Sequence, residues 1–294
     1  MKYPELKRDL PSFPHSLFNT PLEQLVRFYR EHIERDINSG KLRPTDFWIT
    51  ARLFLISGIQ TYVGICALLS ADQPKPLMLQ AGILNRSLLE TLGNVLALCQ
   101  APKIRTRILQ REAFRNAAER LLTYQQRFGH DKEWQDYLSK YREGLHVWAR
   151  ELGISRTYLF KPDQMRDSWP TPGRMIYGGK KRKKQPFLRG SRLAAFKEIY
   201  EYHYGKQSEQ AHQRELALGI TLIVDKQEQW NPGHGESDIV TTAILFLTCM
   251  ISELEFQGKY RPHPRLPELW TYLRDIDDEA KDLWRIRYSK LVTR

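Results

Sequence analysis

Apolar residues recur along this chain at intervals of three and four, with long stretches between one glycine or proline and the next, the pattern of amphipathic helices. The segment "NTPLEQLVRFYREHIERDINSG" shows it best: Thr20 is placed to cap, Pro21 suits a first turn, Glu23 completes a capping box and Gly40 ends the run. The same period predicts helices over about 45–72, 76–100, 103–128, 131–152, 191–228, 238–257 and 266–290. Asp131 and Gly153 bracket the 131–152 helix, and Ser237 is placed to cap the helix from 238, leaving His234 in the loop before it. No strand alternation competes. Short connections between long helices favour antiparallel neighbours, so the expected fold is all-α: an up-and-down bundle of about eight helices in one domain over 1–294, with its core at about 20–257 and a C-terminal helix at 266–290. Residues 153–190 interrupt this plan. They contain "WPTPGRMIYGGKKRKKQPF", too long and too rich in Pro and Gly for a turn, and read as a lid, a partner-binding arm or a disordered insert.

Composition adds a bias toward anions. The 294 residues carry a formal charge of +12 and a pI near 9.6, which suits nucleic acid or a phospholipid surface. Much of the excess is local, however: Lys180, Lys181, Arg182, Lys183 and Lys184 are consecutive, flanked by Trp169, Tyr177 and Phe187. That run reads either as a solvated loop or as a contact for RNA or DNA. Cys66, Cys99 and Cys249 lie apart in apolar runs, as buried thiols of a cytoplasmic protein would, and not as disulfide partners or zinc ligands. The N-terminus lacks the apolar core of a signal peptide. Segment 53–69 is nearly long enough to span a membrane but contains Gln60, Thr61 and Tyr62, and is read as a buried helix with no membrane partner. No P-loop, dinucleotide glycine fingerprint, paired CxxC or zinc-like histidine spacing occurs, so neither cofactor nor metal is expected. Asp275, Asp278 and Asp282 form a stripe, but Lys281 and Arg285 lie close enough for ordinary ion pairs within the helix.

One polar constellation stands out. In "YHYGKQSEQAH", Tyr204, Ser208 and His212 recur every fourth residue and share an arc of about 80° on a helix face that also carries Leu193, Phe196 and Tyr200. That face should be buried, and buried polar groups need partners. The expected partner is "AGILNRSLLETLGNVLAL", where Arg86 and Glu90 stand one turn apart beside Gly82 and Gly93, whose lack of side chains would let another helix approach. Arg86 paired with Glu90, with Ser208 and His212 supplied from across the interface, would satisfy every group.

"ILNRSLLE", then "SWPTPGRM", then "YEYHYGKQSEQAH" resemble, in that order, an uncharacterised bacterial all-helical family. Its pattern is an R-S-L-L-E helix, a W-P segment and a Y-x-x-x-S-x-x-x-H helix, and the likeness covers roughly 50–250. The resemblance implies that Arg86, Glu90, Tyr204, Ser208 and His212 occupy the family's polar positions, and it implies no reaction. A weaker likeness to HEPN-type helical domains suggests RNA cleavage, but the Arg-to-His spacing of those domains does not occur here.

Two readings of the constellation stay open. In one the protein is nucleic-acid-associated, a metal-independent ribonuclease of defence or toxin type, with His212 as general acid or base, Arg86 stabilising phosphorane-like charge, Ser208 orienting His212 and Glu90 holding Arg86. In the other the same residues form a structural network, and 153–190 binds a protein partner. Tyr204 and Arg86 could also line a pocket for a small anionic metabolite.

Overall fold

The computed structural model describes residues 16–43, 45–69, 77–166, 168–178, 185–204 and 232–291, and all the regular structure among them is helical. Ten α-helices follow in order: α1 (Ser16–Asn38), α2 (Phe47–Leu69), α3 (Met78–Gln100), α4 (Pro102–Phe128), α5 (Lys132–Leu152), α6 (Pro172–Tyr177), α7 (Gly190–Ile199), α8 (Pro232–Phe256), α9 (Arg265–Ile276) and α10 (Asp278–Leu283). A π turn (Tyr200–Tyr204) extends α7, and another (Trp284–Tyr288) extends α10.

Helices α2, α3 and α8 pack against one another at the centre. Helix α8 is apolar nearly all round, and Val240, Ile244, Leu247 and Ile251 are fully buried on it. Its buried hydroxyls return to their own helix: Thr248 Oγ1 donates to the Ile244 carbonyl at 2.8 Å, and Ser252 Oγ to that of Thr248 at 2.7 Å. Helices α4 and α5 form a hairpin over a second, smaller core of Phe114, Ala118, Leu121, Leu138, Leu145 and Leu152. Two helices, α2 and the Asp238–Phe256 part of α8, are long and apolar enough to cross a membrane. Within the fold the α8 stretch is 83% buried and that of α2 39%.

Several predicted boundaries hold because a breaker stands at each. Asp131 caps α5 by accepting the Glu133 N–H at 2.9 Å, and Gly153 closes it at φ 63°, where the Ile154 N–H reaches back to the Ala149 carbonyl at 2.8 Å. Gly40 ends α1 in the same left-handed region, at φ 71°.

Other expectations are corrected. Helix α1 begins at Ser16, so the Thr20 capping box lies inside it, and Pro21 merely removes one N–H from an early turn. Helix α8 begins at Pro232, with the proline at its first position, so His234 and Ser237 are helical and Ser237 is no cap. The 191–228 helix gives way after Ile199 to the π turn, and residues 205–228 lie outside the described residues. The 266–290 helix is broken at Asp277, which turns extended (φ −139°, ψ 119°) and caps α10 by accepting the Glu279 N–H at 2.8 Å.

The 153–190 segment is, in its described parts, neither a free arm nor a disordered insert. Leu159 and Met165 enter the smaller core, while Met175, Ile176 and Leu188 enter the main one. Trp169 pins it in place: its Nε1–H donates to Asn94 Oδ1 at 2.7 Å, and its backbone N–H donates to the Glu112 carboxylate. An apolar residue every few positions, hidden among the prolines, gives this stretch its grip.

Gly93 provides the close approach expected of it. A Cβ there would stand 2.5 Å from the ring of Phe196, which is fully buried on α7. Gly93→Ala is therefore expected to destabilise, because displacing a buried ring costs about 1–3 kcal/mol against the roughly 1 kcal/mol that alanine returns as a helix former. Gly58→Ala would meet the flexible tip of Met250 at 2.6 Å and should cost less. Urea midpoints of the two variants check the order; equal losses would contradict it.

Candidate functional site

Arg86 and Glu90 pair within α3 as their spacing requires, Nε to Oε1 at 3.4 Å. The Arg86 side chain is 18% exposed and that of Glu90 42%, so the pair stands at the margin of the α3 face with the Glu90 carboxylate open to water. Tyr204 is the last residue of the π turn after α7. Ser208, His212 and Lys180, Lys181, Arg182, Lys183 and Lys184 lie outside the described residues. Two members of the Asp stripe are held in ion pairs, Asp278 with Lys281 at 2.7 Å and Asp282 with Arg285 at 3.0 Å. Among the described residues, no three His, Cys, Asp or Glu side chains are grouped to hold a metal ion.

A stronger polar cluster lies where the end of α3, the start of α4, the start of α7 and the last turn of α8 meet. At its base is Glu253, fully buried on α8. Arg192 of α7 donates to its Oε2 from Nε at 2.8 Å. Arg287, from the last π turn, grips both carboxylate oxygens: Nη2 reaches Oε2 at 2.8 Å and Nε reaches Oε1. A third Arg287 donor, Nη1, reaches Ser191 Oγ at 2.8 Å. Burial alone would push the Arg287 guanidinium down, but the Glu253 hydrogen bonds and charge hold it above its ordinary value. Planar, two-pronged pairing is the geometry a guanidinium and a carboxylate share, and Glu253 anchors both cations.

Two more arginines complete the cluster without a carboxylate among the described residues. Arg105 lies 3.7 Å over the Phe187 ring, donating from Nη1 to the Ala97 carbonyl at 3.1 Å and from Nη2 to that of Phe187 at 2.5 Å. Burial, then the neighbouring Arg189 and Arg192, push its guanidinium down to about 10. Arg189 is tied in by its backbone, whose N–H donates to Gln100 Oε1 at 3.0 Å, and its side chain is exposed. Helices α4 and α7 begin at this corner with no acidic residue in the first turn of either and no side-chain cap. Both bring the positive end of a helix dipole to a place already rich in cations.

This cluster escaped the sequence reading, although it left a signal. Glu253 stands with Glu255 near the end of the apolar run "LFLTCMISELEF", and charges so placed require partners.

Two other polar features are accounted for locally. His203 Nε2 meets Glu279 Oε2 at 2.5 Å and clasps the first π turn to α10. A pocket of about 310 Å³ opens beside Glu255, Lys259, Tyr260 and Arg261. There the Glu255 carboxylate, raised by burial, accepts the His263 N–H at 2.9 Å, and Lys259 is held by Asp36 at 2.8 Å.

No known protein family matches this chain, and neither a curated protein nor a solved structure does.

Proposed function

We propose that this protein associates with nucleic acid through the basic surface around the start of α4. The observation that carries this reading is the run of charge at that helix end: Lys103, Arg105, Arg107 and Arg111 precede its first acid, Glu112, and Arg189, just before α7, and Arg192, on it, adjoin Arg105. Cations at the positive end of a helix work against its dipole, so their concentration there favours a site for an anion over a device for stability. Lys103, Arg107 and Arg111 follow one another at helical spacing along a ridge that suits successive phosphates. Three buried, unpaired thiols fit a cytoplasmic setting for such a protein.

The support is for binding first. Cleavage would need His212 to reach Arg86, which is engaged with Glu90. The protein-partner alternative has less to draw on, since the described parts of 153–190 are anchored by Leu159, Met165, Met175, Ile176 and Leu188 in the two cores.

The test is a titration with short single-stranded RNA over a salt series. Binding should weaken steeply as salt rises, and Lys103→Gln with Arg107→Gln should reduce the slope of log K against log salt by about 1.4, or roughly 0.7 per lost phosphate contact. Absence of binding even at low salt would refute the reading. Incubating labelled RNA and DNA with wild type and His212→Ala tests for cleavage in the same samples.

A further inference from the structure

We infer that the corner formed by Arg105, Arg189, Arg192 and Ser191 is a pocket for a terminal phosphate, the monoester group at the end of a nucleic-acid strand. This rests on the nucleic-acid reading above and assigns the corner a role different from that of the ridge beside it. The ridge spreads its charge along a helix; the corner concentrates it. Two guanidinium groups, Arg192 and Arg287, hold the Glu253 carboxylate, and two more, Arg105 and Arg189, adjoin Arg192. Among the described residues Glu253 is ion-paired with Arg192 and Arg287, so the surplus there lies on Arg105 and Arg189.

A phosphodiester carries a single negative charge and is followed by another some ångströms away. A phosphate monoester carries about −1.5 to −2 at one point, with three strong acceptor oxygens. The corner matches the second. Arg105 is held flat against Phe187 by bonds to two carbonyls, which occupy two of the five N–H donors of a guanidinium and leave the rest to a ligand. Its position is fixed before any anion arrives, so little entropy is lost on binding. Ser191 Oγ accepts from Arg287 and keeps its own O–H to donate. Arg189, exposed and attached at the mouth, can close over the same group. The lowered guanidinium of Arg105 agrees: burial first, and then the like charges of Arg189 and Arg192, oppose its charge, and an anion at the corner would offset both.

The experiment measures, by fluorescence anisotropy on the full chain, the affinity for short strands of one sequence ending in a 5′-phosphate, a 3′-phosphate or hydroxyls only. Inorganic phosphate is titrated as a separate probe. A terminal phosphate at one or both ends should tighten binding by about tenfold to a hundredfold, the range of one or two charge-assisted hydrogen bonds. Arg105→Gln and Arg189→Gln should each weaken the phosphate-ended strands far more than the hydroxyl-ended one, so that most of the preference disappears, whereas Lys103→Gln on the ridge should weaken all three strands alike and keep it. Arg189→Gln changes only an exposed side chain, so it remains informative if Arg105→Gln folds poorly.

Equal affinity for all three strands would overturn the pocket and leave the ridge, and with it the nucleic-acid reading, standing. Binding of inorganic phosphate that is lost in Arg189→Gln, with no strand bound, would uphold a phosphate pocket and refute the nucleic-acid reading. No binding of any probe would refute both.

Discussion

Replacing Glu253 by alanine is expected to lower the stability of the protein by about 3–5 kcal/mol, enough to unfold much of a marginal population. The carboxylate is fully buried and accepts from Arg192 and Arg287, whose side chains are only 18% and 10% exposed. Removing it leaves two cations facing each other with little water to screen them. Breaking a buried network from one side is costly for that reason, whereas replacing all its members by apolar groups need not be. Glu253→Leu combined with Arg192→Met and Arg287→Leu should therefore recover much of the loss. Urea denaturation of the single and triple variants measures both, and a single variant within about 1 kcal/mol of wild type would mean that the network is not under strong charge constraint.

Trp270→Ala should be comparably severe, at about 3–5 kcal/mol. Trp270 is the largest fully buried side chain among the described residues, stacked on Tyr288 at 4.8 Å and tilted against Trp284 at 5.4 Å. Its Nε1–H donates to Ser252 Oγ at 2.9 Å, tying α9 to α8. Trp270→Phe keeps most of the ring volume and loses that bond, so it separates the two contributions: about 1–2 kcal/mol is expected from the bond and the smaller ring together. Near-equal losses for Ala and Phe would show that the hydrogen bond, and not the packing, holds α9 in place.

Helices α2 to α5 were legible because their ends are written locally. Asp131, Gly153 and the Ala101–Pro102 step terminate helices by backbone chemistry that needs no distant partner. The Asp277 break was illegible for the opposite reason: "DIDDEAK" contains no glycine or proline, and an aspartate that caps looks in sequence like one on a solvated helix face. Gly93 was recognised as a point of close approach, and the residue it admits, Phe196, came from the helix expected to pack there. Glu253 invited a partner, but Arg192 and Arg287 stand 61 and 34 positions away, a distance no helical period spans. Arg86 with Glu90 was legible as a pair, since one turn of helix places them together; how open Glu90 would be depended on what packs above it.

The three cysteines give the chain a practical property. Burial pushes the Cys66 thiol up to about 11 and raises Cys99 and Cys249 as well, so at neutral pH none offers much thiolate at a reachable surface. A maleimide added to the folded native protein would find almost nothing to alkylate, and one cysteine introduced on the outside, in place of Lys140 for example, would become its single address. The native thiols could then remain in their cores while a dye or spin label is attached where it is wanted.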